Sequence, residues 1–253
     1  MPGSTVGLSM NYGAPGTFSR NSYPEIRSRL SDPSSPYPTF FGDAIFRYSN
    51  VAVQGGVYRS TQNLSAVFPA ISNGTNVLSG ITGMQFLWNR SPPQVGFYVI
   101  GPGVQLGTTI TAIGATTLTL SMPTTTAVSG YFNIVSPAVN ASNFAGICLR
   151  EVKTGSGYYS STGSGAYAIG APLDVLLKGS SSVNAPLVDP IYPGAPVYLQ
   201  IAFAGMASSR PVGSFQTTPD GAYSIALPTM QWNEGLIDSN NVAEISILIP
   251  TSC

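Results

Sequence analysis

The sequence predicts an all-β protein: a jelly-roll, sandwich or barrel-like body with an extended N-terminal arm and an inserted small β module. Three observations predict it. Apolar residues recur at every second position in several short runs. Clusters of Pro, Gly, Asp and Asn separate those runs, as the turns of many short strands require. Only one short stretch reads as a helix.

The arm and helix occupy 1–39. Residues 10–20, MNYGAPGTFSR, suit neither a helix nor a good strand, because Gly13 and Gly16 loosen the backbone while Pro15 fixes φ and removes a donor. Tyr12 and Phe18 are nevertheless too apolar for a tail meant only to be solvated. The arm is therefore expected to lie on a surface, either this chain's own body or a neighbouring subunit. Asn11, Tyr12, Pro15, Phe18 and Arg20 are its candidate contacts. Residues 24–30 are the expected helix, with Pro24 at its first position, Pro33 beyond its end, and Ile26 and Leu30 on one face.

The main body takes 40–56 and 137–253. In 195–203, Val197, Leu199, Ile201 and Phe203 share one face, and Tyr198 and Gln200 the other. Leu173, Val175 and Leu177 fall together within 172–178. Near the end Ala243, Ile245, Ile247 and Ile249 oppose Glu244 and Ser246. Turns are expected at Pro193-Gly194, at Pro219-Asp220-Gly221 and over 238–241.

Between these parts, 57–136 has a different texture. Arg59 and Arg90 are its only charges, and it has no carboxylate. Residues 101–130 read as strand, turn, strand, with Ile110 and Ile113 before Gly114 and Leu118 and Leu120 after it. The threonines at 108, 109, 111, 116, 117 and 119 suit strands with one wet face. This stretch is read as a β module inserted into a larger β body; a single domain with a long decorated excursion is the alternative.

Composition narrows the function classes. Charged residues are 8% of the chain, against roughly 25% in an average soluble protein. Ser, Thr, Asn, Gln, Gly and Pro replace them, giving the polar, uncharged surface of many extracellular and virion proteins. Ten basic and ten acidic side chains cancel, and no basic run offers a nucleic-acid footprint. No stretch has membrane-spanning length, and Met1-Pro2-Gly3 does not open a signal peptide. An exported look without an export signal fits a virion component made in the host cytoplasm.

Catalysis has little support. With no histidine, Ser-His-Asp and Cys-His arrangements are excluded, and zinc loses its commonest nitrogen ligand. No metal site and no cofactor are expected. Cys148 reads as a buried thiol in a strand, and Cys253 as a terminal residue. Glu234 and Asp238, near Trp232, are the one close carboxylate pair, but Gly235 and the turn residues after it make that stretch a loop. The glycine-rich run 155–167 lacks the lysine of a phosphate loop and reads as a hairpin tip, where Tyr158, Tyr159 and Tyr167 could form an adaptable contact surface. The sequons at Asn63, Asn73, Asn89 and Asn140 are what a Ser- and Thr-rich chain produces by chance. Glu151 and Lys153 make an ordinary exposed pair on a strand face.

Several blocks together carry a resemblance: NYGAPGTFSR, FFGDAIF (40–46), FAGICLREVKT (144–154), PLDVLLKG (172–179), GAPVYLQI (194–201) and LPTMQWNEGLIDSNNVAEISI (227–247). In order and texture they resemble the head decoration, or structural cement, proteins of tailed bacteriophages, over 10–53 and 138–250. The resemblance implies a non-enzymatic protein that binds the outer face of an assembled capsid and ties capsomers together. It further implies the major capsid protein as partner, self-association as a homotrimer with a dimer as runner-up, and location on the virion's outer surface. The arm would then be a strap, anchored by Tyr12 and Phe18, with Arg20 pairing an acidic group on a neighbour. The alternative function is a head fibre or adhesin whose inserted module binds a host-surface glycan or protein.

Overall fold

The computed structural model describes residues 15–16, 24–48, 57–81, 92–149, 166–186, 190–205, 210–233, 235, 237 and 241–248. Four strands come first: β1 (Glu25–Leu30), β2 (Thr39–Phe40), β3 (Ala44–Tyr48) and β4 (Val57–Ser60). Six more follow: β5 (Ser65–Asn73), β6 (Val77–Ser79), β7 (Tyr98–Ile100), β8 (Ile110–Ile113), β9 (Leu118–Leu120) and β10 (Ala127–Val135). The chain then forms β11 (Phe144–Cys148), β12 (Ala166–Tyr167), β13 (Pro172–Asn184), β14 (Pro196–Gln200), β15 (Phe215–Gln216), β16 (Ser224–Trp232) and β17 (Val242–Ile247).

β13 organises the body. Its residues alternate in the expected way, but both faces are covered: Leu173, Val175 and Leu177 enter one apolar cluster, Leu176 and Val183 another. Burying each such side chain is worth about 1.5–3 kcal/mol, which is why this strand can hold a curled sheet together. That sheet runs β15-β14-β16-β17-β13-β11-β3-β4, with β1 also on β13. From Gly179 onward β13 pairs with β17, whereas its first half pairs with β1 and β11. A parallel bridge between Ser31 and Tyr58 then brings the end of β1 back against β4. The first half of the sheet thus curls around Ile45, Tyr58, Ala145, Cys148 and Tyr167. The second half covers the larger core, where Trp232, Phe215, Leu199 and Ile245 are fully buried.

β12 pairs with β2 in a separate two-stranded sheet, and a further sheet runs β7-β10-β5-β6-β9-β8. Its two ends meet: Tyr98 bridges Thr109, the Val99 amide donates to the Thr108 carbonyl at 2.9 Å, and the Ile110 amide donates to Phe97 at 2.9 Å. A small barrel results, with no free edge at this seam. Phe68 and Phe132 stack inside it with ring centroids 6.4 Å apart, among Leu78, Ile110, Leu118, Leu120 and Ile134. The expected hairpin around Gly114 is present, closed by the Gly114 amide on the Thr117 carbonyl at 2.8 Å. Thr108 departs from expectation: it is buried, its hydroxyl donating to the Gln105 carbonyl.

Barrel and body join through a paired ribbon, β5 against β10, over nine residues of each. At its foot the Ser136 amide donates to the Leu64 carbonyl at 2.8 Å, and Leu64 and Val135 belong to the body's core. Asn133 points outward and grips the body, accepting from the Phe203 amide at 2.6 Å and donating to the Phe203 carbonyl at 2.9 Å. Tyr131 sets its ring edge-on to Phe203.

Two expectations are corrected. Residues 25–30 form a strand and not a helix, paired residue by residue with β13 from Leu30–Pro172 to Ile26–Leu176. Two turns of helix are marginal on their own, and the long edge of β13 offers a ladder of hydrogen bonds instead. Val57–Ser60, expected to begin the module, pairs with β3 in the larger sheet, so the barrel's own strands start at β5.

Candidate functional site

The arm meets the body at one described point. Pro15 and Gly16 lie against the turn before β3, the end of β11 and the second half of β13. The Gly16 amide donates to the Ser182 carbonyl at 2.7 Å, and beside it the Gly42 amide donates to Cys148 at 2.8 Å. Both glycines have left-handed backbones, with φ of 77° and 81°. A Cβ on Gly16 would stand 2.6 Å from the Gly42 nitrogen and 2.8 Å from the Cys148 oxygen. A Cβ on Gly42 would stand 2.6 Å from that of Pro15. Only two glycines let these backbones approach so closely, so the Pro15-Gly16 step of the arm has a local cause here. At Pro15 and Gly16 the surface under the arm is this chain's own body. Asn11, Tyr12, Phe18 and Arg20 lie outside the described residues, as do Tyr158 and Tyr159.

Tyr167, expected at a contact surface, is 8% exposed. It packs edge-on to Phe41 at 5.4 Å, and its hydroxyl donates to Asp174 at 3.4 Å. Its place on β12, which pairs with β2 in a separate two-stranded sheet, sets it in the apolar cluster that the curled sheet encloses. Gln200, on the face opposite Val197 and Leu199, is fully buried; its amide nitrogen donates to the Ala202 carbonyl and to Asp220. Asn63, one of the sequons, is also buried, donating to Tyr37 and Ser60.

Two arginines that the sequence reading did not single out flank the β1–β4 seam. Arg59 on β4 donates through Nε to Asp32 Oδ2 at 2.8 Å, with Nη2 2.7 Å from the same oxygen. Nη2 also donates to the Ser34 hydroxyl at 3.0 Å, and the guanidinium lies 4.2 Å from the Tyr48 ring centroid. Burial alone would raise the pKa of Asp32, but the bonds from the Ser34 hydroxyl and amide, together with Arg59, outweigh it and hold the carboxyl below its usual value. Arg29 on β1 has a similar stack, 5.2 Å from the Tyr58 centroid. Among the described residues, its Nε and Nη2 are buried and have no hydrogen-bond partner.

Cys148 lies fully buried behind the latch. Burial, and then the charges of Asp43 and Asp174, push its thiol well above the ordinary range, away from a reactive thiolate. Among the described residues no three Cys, Asp or Glu side chains stand close enough to share a metal ion.

The model of a protein family described as "Structural cement protein (E217 gp24/Pam3 gp6)" matches residues 96–248, more than half of the chain. The chain belongs to this family of phage structural proteins. The match begins inside the barrel, at the turn before β7, and runs into the last strand of the body. Strands β7–β10 of the barrel therefore fall within this cement protein's family pattern, where the sequence resemblance had stopped short of them. The chain is also similar to one in a solved structure, "The capsid of Myoviridae Phage XM1", at 12% identity and a TM-score of 0.43, over 97% of this chain and 96% of that one. Among curated proteins nothing matches the chain.

Proposed function

We propose that this cement protein binds the outer surface of a phage capsid and ties neighbouring capsomers together, with the major capsid protein as its partner. The observation that carries the reading is the family match over residues 96–248, from β7 to β17. A charge-poor surface supports it as well, since subunits that bury much area against each other gain from few charges to desolvate. On this reading the protein is made in the bacterial cytoplasm and resides on the virion's outer face. It acts as a homotrimer, the arm serving as strap through Asn11, Tyr12, Phe18 and Arg20. The Gly16–Gly42 latch would then be the point where the strap is tied to its own subunit. Tyr158 and Tyr159 are further candidate contacts.

A protein that binds the assembled shell and not its dissociated parts raises the shell's disassembly temperature by linkage. The test heats DNA-filled particles with and without saturating protein and follows DNA release. A higher release temperature in the decorated particles is expected. Equal temperatures would rule out cementing and leave the barrel as an adhesin to be examined.

A further inference from the structure

We infer that Asn73 is a modification site, where the side-chain amide is lost to attack by the next backbone nitrogen. The sequence contains a single Asn-Gly step, Asn73-Gly74. The fold places it at the tip of the β5–β6 hairpin, with residues 73–76 all exposed. Among the described residues no hydrogen bond holds the Asn73 side chain or the Gly74 amide. Gly74 has no side chain to crowd its nitrogen, and the space beside its Cα is open to 3.7 Å. Asn73 pairs with Ala127 as the last rung of the β5–β10 ladder. The rotation about its Cα–C bond that the attack requires therefore frees no rung beyond it.

The reaction needs only water. Hydroxide takes the proton of the Gly74 amide, and the nitrogen attacks the carbonyl carbon of the Asn73 side chain. A C–N bond forms, the bond to the side-chain nitrogen breaks, and ammonia leaves with a proton from water. Water then opens the five-membered imide. Cleavage at the side-chain carbon leaves aspartate; cleavage at the main-chain carbon leaves isoaspartate, whose chain runs through an extra methylene. Either product carries a new carboxylate, in a stretch, 65–135, where Arg90 is the one charged side chain.

The other described asparagines each lack a requirement. Asn63 and Asn133 are buried with bonded amides, and those of Asn140 and Asn233 are bonded as well. Asn76, Asn143 and Asn241 precede Val, Phe and Val, whose side chains crowd the attacking nitrogen. After Asn184, the Ala185 amide is held by the Asn241 carbonyl at 2.7 Å. The two products differ in their effect on the turn. The Thr75 carbonyl accepts from the Thr124 amide at 3.1 Å, and an extra methylene just before it displaces that anchor.

The experiment incubates the full chain at pH 8 in wild-type, Asn73→Asp and Gly74→Asn forms, with a synthetic peptide spanning the turn as the unfolded reference. Peptide mass spectrometry should show a gain of one dalton at Asn73 of the wild type before any other asparagine. Gly74→Asn keeps a residue that tolerates the left-handed backbone, φ 79°, but adds a Cβ beside the nitrogen, so most of the gain should be lost. Hydrogen exchange of the Thr124 amide should be about tenfold faster in the isoaspartate fraction, the loss of one hydrogen bond, and unchanged in Asn73→Asp. An unmodified Asn73 in the protein while the peptide converts would overturn the site, since the fold would then protect it. First conversion at another asparagine, or equal conversion in Gly74→Asn, would overturn it too. Equal Thr124 exchange in the isoaspartate fraction and the unmodified protein would overturn the effect on the turn.

Discussion

Replacing Arg59 with methionine tests how the body is held closed where β4 meets the chain after β1. Asp32 is 0% exposed and Arg59 5% exposed, so neither charge can turn to water when its partner is removed. Asp32 would keep the bonds from Ser34 but lose both contacts to the guanidinium. Breaking a buried pair from one side costs about 3–5 kcal/mol, because a charge is left without compensation. For a chain of this size that is a fall in unfolding temperature of about 6–20 °C. The double variant Asp32→Leu/Arg59→Met should recover most of the loss, since a well-packed apolar pair replaces a buried ion pair at little cost. Ser34, whose donors lose their acceptor, is exposed and can bond to water. Equilibrium urea unfolding of the single and double variants supplies the cycle. Single variants within about 0.5 kcal/mol of wild type would refute the reasoning, since that is the range of a surface substitution.

The same pair has a pH signature. The folded pKa of Asp32 is depressed, so its contribution is fully present above the unfolded value of about 3.9 and fades as pH falls from there through the lower folded value. The urea midpoint of the wild type should therefore drop below about pH 4, and Asp32→Asn should show a shallower drop over that window.

Three further outcomes are expected. Gly42→Ala forces a side chain into a left-handed position and against Pro15, so it should cost at least about 1–2 kcal/mol and speed hydrogen exchange of the Gly16 amide; unchanged protection of that amide would mean the latch does not depend on Gly42. Excising 65–135 and joining Leu64 to Ser136, whose backbones already touch, should leave a body with a cooperative thermal transition; loss of the transition in calorimetry would make the barrel part of the body's folding unit. In a Cys253→Ser background Cys148 should resist a thiol reagent at pH 8 until denaturant is added; prompt native-state labelling would contradict its burial.

Much of the fold was legible because alternation reports a strand's faces directly. Val197 and Leu199 share the buried face of β14, with Ile201 just beyond its end, and Ala243, Ile245 and Ile247 that of β17. Alternation does not report whether the opposite face will be covered, and so it could not show that Gln200, opposite Leu199, is buried. The strand β1 was missed because its partner lies more than 140 residues away, and six residues of local propensity cannot outweigh that ladder. The arm's glycines pointed to a close approach without saying to what, since Gly42 and Ser182 are distant in sequence. Arg59 and Asp32 are 27 residues apart with nothing in their spacing to link them. The one available signal for the seam was the Ile-Arg-Ser-Arg-Leu alternation itself, read as a helix face when it was an edge strand.

A chain with so few charges makes each buried one informative. Ten basic side chains in 253 residues could all sit on the surface at no cost, yet two arginines are drawn over tyrosines in the one region where the sheet curls back on itself. Arg59 brings its own counter-ion, and the pair joins β4 to the segment following β1. Arg29 brings none: among the described residues its Nε and Nη2 are shielded from water and have no hydrogen-bond partner. A single strap gives weak binding on its own. Repeated in each copy of an oligomer, straps would be multiplied by effective concentration, so that the last contact forms far more readily than the first. Removing residues 1–20 from every copy should then impair shell binding far more in the intact oligomer than in a monomeric form, because the loss in each copy multiplies. Equal loss in both would mean that subunits bind the shell one at a time.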